Sequence, residues 1–319
     1  MKERFAFGFE AAGFPDPAAP DALAVALLAA EERTARRRRF SALALRGSVY
    51  VGAALTALIM LFLVGYILMK GVPYLTPSLF SWEYTSDNVS LMPALVNTLL
   101  MTALSLLMAV PLGVGAAIFL VEYATRGNRF VQLVRTTAET LAGIPSIIYG
   151  LFGMLFFATA LGWGLSLLSG AATLAIMILP VIIRTSEEAL QSVPDAFREG
   201  SFGLGAGRLR TVFRIVLPSA IPGIFGGVIL GMGRVVGEVA ALIFTAGTIA
   251  AIPDFLGQGA PAVFDSARTL AVHMYVLASE GLHINETYAT AVVLLVMIVA
   301  LNALSTLAVR AMSKGKKND

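Results

Sequence analysis

The sequence predicts an all-α, polytopic membrane protein of six transmembrane helices with one ordered polar loop between the fourth and fifth. Three observations predict it. Of 319 residues, 57% are hydrophobic and only 13% charged, about half the charged share of a soluble globular domain, and mean hydropathy is +0.81. Six apolar runs each approach or exceed the roughly 20 residues needed to cross a bilayer. A polar island, residues 187–218, separates two of those runs and carries helix caps and glycine breaks instead of the disorder of a plain connector. The absence of cysteine removes disulfide, thiolate and cysteine-metal chemistry. His273 and His283 are spaced too far apart in a loop for a metal pair. No His/Glu cluster or Ser–Lys pair sits within the spans, which argues against an intramembrane enzyme, so no catalytic or metal-binding residue is expected. No nucleic-acid partner is expected either.

Taken in order, residues 1–47 form a cytoplasmic N-terminal segment. Residues 1–20 are Gly-, Pro- and Ala-rich and read as a mobile tail. Asp21 starts a helix running to about Arg46, with its arginines late, where cations suit the helix dipole. That helix either lies on the membrane surface, its arginines meeting anionic lipid, or binds a partner. The basic cluster Arg36–Arg39 follows the weakly apolar stretch 22–30, the reverse of signal-peptide order, so no cleaved leader is expected.

The transmembrane domain covers 48–312, with spans expected at 48–69, 94–121, 131–160, 165–183, 220–246 and 288–309, followed by a tail, 313–319. The link 161–164 is so short that the third and fourth spans form a hairpin. Twenty of the 23 Lys and Arg fall on one side of this alternation, two (Lys70 and Arg268) on the other, and Arg234 lies within a span. Positive charge concentrates on the cytoplasmic side, so both termini face the cytoplasm. The outer segments are 70–93 and 248–287. The second is long, with a helix-like stretch at 265–279, and either caps the pathway, receives an external partner, or packs as a lid over the helix ends.

The island 187–218 carries Arg198, Arg208, Arg210 and Arg214, with Arg184 at its edge. Pro194 suits the first turn of a helix. Asp195 and Glu199 follow in the opening turns, where acids favour the dipole. Gly203, Gly205 and Gly207 interrupt that helix, and a second basic one, 208–214, leads through Leu217–Pro218 back to the membrane. Two short helices at a bend can plug into a cleft on a soluble partner. The Walker pattern is absent, so the chain holds no ATP site of its own.

The fifth span repeats Gly223, Gly227 and Gly231, and then Gly233 and Gly237, at the four-residue spacing that lets helix backbones approach closely. Arg234 and Glu238 are four apart. A lone arginine at mid-bilayer costs at least ~2.5–3.5 kcal/mol, so Arg234 must face a cavity or a partner. Either the two residues form an ion pair that locks helices together, or Arg234 lines an anion pathway, its fork matching a tetrahedral oxyanion, with Glu238 orienting it. In the third span, Pro145 breaks the helix ladder and leaves a kink. The Ser146 hydroxyl then donates either to an anion or to its own helix.

Glu199, Gly205, Ile215, Leu217 and Pro218 fall at the spacings of the cytoplasmic signature Glu-Ala-Ala-x3-Gly-x9-Ile-x-Leu-Pro, with Gly200 and Ser201 in place of the two alanines. On these residues the chain resembles the membrane subunits of bacterial ABC importers, the MetI-like permease fold of type I importers. Within that group the segments 97–124, 142–153 and 233–247, and the stretch TLAVHMYVLASEG with the last span, are similar to phosphate importer permeases of the PstA type. Val239 and Ala241 stand where that type has Thr and Pro. The resemblance implies that the chain imports inorganic phosphate by alternating access. It implies a heterodimer with a PstC-like permease, two ATP-binding PstB-like subunits that hold ATP and Mg, and an external phosphate-binding protein. Asp195, Arg198, Glu199, Gly205, Arg208, Ile215, Leu217 and Pro218 would then couple to the ATPase, and Arg234, Glu238 and Ser146 would line the pathway. A permease for sulfate or molybdate, and a phosphate-sensing scaffold attached to a transporter, stay open as alternatives.

Overall fold

The computed structural model describes residues 19–124 and 127–314. The expected tail at 1–18, Arg126, and Lys316 and Lys317 lie outside them. The chain divides into two units, one ending at Gly65 and one beginning at Tyr66. A single helix, α1 (Ala19–Gly71), carries both the stretch expected to lie on a surface and the first expected span. Its part from Ala42, with the following 3-10 turn to Tyr74, is apolar enough to cross a membrane.

The second unit is built on α5 (Leu167–Gln191). Helix α2 (Met92–Ile118) opens with Pro93, whose missing N–H costs nothing in a first turn, and widens at its end into a π-helical turn, Phe119–Tyr123. It packs on α5 where Gly113 meets Ile182, and the interface is filled by Met101, Ala109, Leu174, Met177 and Ile178. Helix α8 (Leu217–Val236) lies on α5 through small residues. Gly223 faces Ala189, Gly227 faces Thr185, and Gly231 faces Ile178 and Ile182. The repeat Gly223–Gly227–Gly231 thus permits the close approach its spacing predicts. At Gly233 an added methyl would meet nothing within 4 Å, so the second repeat makes no close helix approach among the described residues.

Among the described residues, five helical segments are long and apolar enough to cross a membrane, and six if one bent pair counts as a span. Two expected spans differ from their structure. The stretch 131–160 is not one kinked helix. It is α3 (Arg129–Ala142) and α4 (Ser146–Gly153), the latter continued by a π-helical turn to Ala160, with a 102° bend between them. The cause lies in α3, whose Arg135, Thr136, Thr137 and Glu139 are exposed, so only the α4 half is apolar throughout. Likewise the run 220–246 stops at Val236 and resumes as the short α9 (Ala240–Thr245). The fourth span instead runs two turns beyond its expected end, to Gln191. The hairpin between α4 and α5 is present, and Gly162 and Gly164 take φ of +70° and +66° there, a left-handed conformation that glycine adopts without a Cβ clash.

At the end opposite α5's C-terminus, the 248–287 segment is tied down. It includes α10 (Leu270–Glu280), capped by Thr269 and ended by Gly281 in the left-handed region, and leads into α11 (Ile284–Lys314). Asn97 donates to the carbonyls of Ala251 and Arg268 at 2.9 and 3.2 Å, and the Leu270 N–H donates to Thr98 at 2.8 Å. The buried Arg268 donates to Thr248 O at 2.6 Å and lies 5.4 Å over the ring of Tyr84. Its Nη1 is 3.3 Å from Nδ1 of the fully buried His273. Arginine only donates, so Nδ1 accepts and the proton sits on Nε2, which has no partner among the described residues.

Burial, and then the Arg268 charge, lower the His273 pKa from 6.5 to about 4. The unfolded chain therefore takes up this proton first. Stability is fully present above pH 6.5 and drains away as pH falls toward 4, at about 1.4 kcal/mol per pH unit for one proton. The thermal midpoint of the solubilised chain should fall across that window. His273→Gln, which keeps an acceptor for Arg268 and removes the titration, should flatten the profile. An unchanged slope in that variant would assign the acid sensitivity to other groups.

Candidate functional site

Two places gather the residues singled out by the sequence. The first is the polar loop. Helix α5 ends where the Ser192 hydroxyl donates back to Ala189 O at 2.7 Å, and Pro194 turns the chain into α6 (Asp195–Gly203). Gly205, at φ +79°, makes the turn that follows. The short α7 (Arg208–Thr211) then passes through a π-helical turn, Val212–Val216, into α8.

Asp195, Glu199, Gly205 and Arg208 are exposed, and Ile215, Leu217 and Pro218 are half-buried. Val212 and Val216 sink into a core with Ala117, Ile118, Ala189, Leu190 and Val193, which seats the loop on α2 and α5. Ser201 and Thr211, both buried, share a hydroxyl hydrogen bond of 2.8 Å that pins α6 to α7. The serine in place of alanine thus has a partner of its own, and Gly200 faces open space.

Arg198 departs from the others. Its side chain is 14% exposed and forms an ion pair of 2.7 Å with Glu122, itself 8% exposed. Sequence reasoning passed over Glu122, and it passed over the apolar character of the loop's outer surface. Phe197, Phe202, Leu204, Leu209 and Phe213 are all exposed, Leu204 to 91%. Together they form an exposed apolar surface rimmed by Glu199, Arg210 and Arg214. Their signal was in the sequence as Phe197, Phe202, Leu204, Leu209 and Phe213, interleaved with the charged residues of the island.

The second place lies where two helices are broken side by side. Helix α4 begins at Ser146, after the corner Gly143–Pro145, and α9 begins at Ala240, after the break Gly237–Val239. The two helices touch at Gly150, where an added Cβ would lie 2.8 Å from the Ala241 Cα. Ser146 stands one turn before that contact on the same face, half-buried and with no hydrogen bond from its hydroxyl among the described residues.

Arg234 and Glu238 do not share a helical face, because α8 ends at Val236 between them. The Glu238 carboxylate instead accepts from the Ala241 N–H at 3.1 Å, capping α9. No ion pair joins the two residues among those described, so the expected pairing is corrected: a Gly-Glu-Val break replaces the continuous helix that would have aligned them. Arg234 is half-buried, makes no hydrogen bond there, and lies close enough to Tyr149 to act on it electrostatically. Tyr149 is itself fixed by donating to Leu141 O at 2.6 Å. A guanidinium with no partner among the described residues therefore stands near α4, whose first N–H groups carry partial positive charge. Such a place attracts an anion and repels a cation.

Comparison with known proteins adds to this geometry. Residues 109–318 match the family described as binding-protein-dependent transport system inner membrane component. The chain is 37% identical over 243 residues to the probable ABC transporter permease protein YqgI of Bacillus subtilis, covering 72% of this chain and 81% of that one. It is 41% identical over 154 residues to the phosphate transport system permease protein PstA 1 of Mycobacterium tuberculosis, and it spans about half that relative's length, with 48% of this chain and 49% of that one matched. Among solved structures, the MetNI methionine ABC transporter superposes with a TM-score of 0.58 at 22% identity, over 70% of this chain and 95% of the other. That likeness shows the fold.

Proposed function

The chain belongs to the family of binding-protein-dependent transport system inner membrane components, the non-catalytic permeases of ABC transporters, and from that premise we propose that it is the PstA-like subunit of an ATP-driven importer of inorganic phosphate. The observation that carries the anion reading is Arg234, in the last turn of α8 before its break and without an ion-pair or hydrogen-bond partner among the described residues. Discontinuous membrane helices form transport sites because their free N–H groups and dipole ends face the cargo. Here α4 presents its N-terminus, Arg234 its fork and Ser146 a hydroxyl. Phosphate gives up its hydration shell on entry and takes hydrogen bonds from these donors instead. Glu238 holds α9 in place and keeps the break open.

In this reading the loop end faces the cytoplasm, with both termini. A PstC-like permease completes the pathway, and an external phosphate-binding protein delivers the cargo. Two PstB-like subunits bind ATP and Mg, and their closure moves the α6–α7 pair through the apolar surface from Phe197 to Phe213. The similarity to a protein named PstA 1 favours phosphate over other oxyanions. The test is uptake by the complex reconstituted in proteoliposomes with its binding protein and ATPase. Labelled phosphate should accumulate on ATP addition, with a preference over sulfate or molybdate of at least ~100-fold, the size of about 3 kcal/mol of discrimination. Preferred sulfate or molybdate uptake would reassign the cargo. A complex that binds phosphate and moves nothing would favour the sensing scaffold.

A further inference from the structure

We propose that Arg198 is a positioning residue that rivets α6 to both α2 and α5, so that the three move as one body when the loop is displaced. The coupling part of this proposal rests on the permease reading above. The guanidinium has five N–H donors, and all are engaged. Nε donates to the Glu122 carboxylate at 3.1 Å, and Nη2 donates to the same oxygen at 2.7 Å and to Leu190 O at 2.9 Å. Nη1 donates to Val193 O at 2.7 Å and to Asp195 at 3.2 Å. Glu122 belongs to the π-helical turn that ends α2, Leu190 to the last turn of α5, and Val193 to the bend before α6. One side chain thus joins three segments, and it adds a donor to Leu190 O in the last turn of α5 and to Val193 O in the bend that follows.

No donor is left for an external protein, which separates Arg198 from Glu199 and Arg208 on the exposed face. The surroundings repeat the same linkage. Arg208 lies 5.7 Å over the ring of Tyr123, in the same turn as Glu122. Val212 and Val216 share a core with Ile118 and Leu190. A fork that holds a carboxylate and two carbonyls at once has no lysine equivalent, because an ammonium lacks the planar spread of donors. Removing the buried carboxylate leaves Arg198 with only the exposed Asp195 as counter-charge, so Glu122→Gln acts on the same rivet from the other side.

The test uses Glu122→Gln and Arg198→Lys in the full chain, read in two ways. Amide exchange in 195–203, measured on the membrane-inserted chain without any partner, should accelerate at least ~10-fold in both variants while the centre of α5 stays protected, as expected for local opening. In the reconstituted complex, ATP hydrolysis should continue while anion moved per ATP falls about tenfold, equivalent to about 1.4 kcal/mol. Unchanged exchange overturns the rivet. Faster exchange with an unchanged transport ratio overturns its role in coupling. Loss of the ATPase from the purified complex would make Arg198 a docking residue, which also overturns the proposal. A wild-type complex that hydrolyses no ATP would defeat the permease reading alone, since the exchange measurement still decides whether the rivet exists.

Discussion

Replacing Arg234 with glutamine should cut phosphate uptake by the assembled complex roughly 100-fold, since a charged hydrogen-bond partner in a poorly solvated site contributes about 1.5–3 kcal/mol. Abundance of the chain in the membrane should hold. Arg234 has no ion-pair or hydrogen-bond partner among the described residues, so its removal leaves no buried carboxylate or carbonyl orphaned. The contrast with Arg198 is instructive. That arginine is also in the unusual position of being partly withdrawn from water, but its loss strands Glu122 and the Val193 carbonyl and takes a donor from Leu190 O. One arginine is free to act on something that arrives, and the other is spent on the fold. Arg234→Lys should recover part of the uptake, because it restores the point charge without the bidentate fork. Uptake at the wild-type rate in Arg234→Gln would remove this residue from the pathway. A matched fall in chain abundance would show that it supports the fold instead.

The parts of this architecture legible in the sequence are those set by local composition. The runs at 94–121, 165–183 and 288–309 carry no charged residue along their length, and each forms one continuous helical segment. Gly203, Gly205 and Gly207 announced a turn, and Gly205 sits in the left-handed region there. What stayed hidden is of two kinds. Breaks inside apolar runs are set by one or two residues. Pro145 signalled a kink, but the 102° corner also needed the polar character of α3, which a window of 20 residues averages away. The end of α8 had a signal that periodicity obscured, since Glu238 stands three residues before the N–H it caps. The other kind is pairing across long separations. Glu122 and Arg198 lie 76 residues apart, and nothing near either names its partner. Likewise His273 looked like an idle loop histidine until the fold placed it against Arg268 and Tyr84.

Adding a single methyl at Gly150 should damage the candidate site more than adding one anywhere on the open face of α8. The neighbours of a Cβ at Gly150 would be the Ala241 Cα at 2.8 Å, the Ala241 carbonyl at 3.1 Å and the Ala240 carbonyl at 3.2 Å. All three are backbone atoms, so no rotamer change relieves the collision, and α9 itself has to move. Overpacking of this kind costs about 1–3 kcal/mol, set against the ~1 kcal/mol by which alanine favours a helix over glycine. The balance for Gly150→Ala is a lower thermal midpoint, and for Gly150→Val a much larger loss. Gly233→Ala is the control, because it makes the same chemical change where nothing lies within 4 Å, and it should be neutral or stabilising. Function should respond more than stability does. Helix α9 is capped by Glu238, so shifting its first turn displaces the break beside Arg234, and phosphate uptake should fall in Gly150→Ala even where enough folded chain remains. Equal stability and equal uptake in Gly150→Ala and Gly233→Ala would mean that α4 and α9 have room between them, and the broken-helix site would lose the contact that defines its shape.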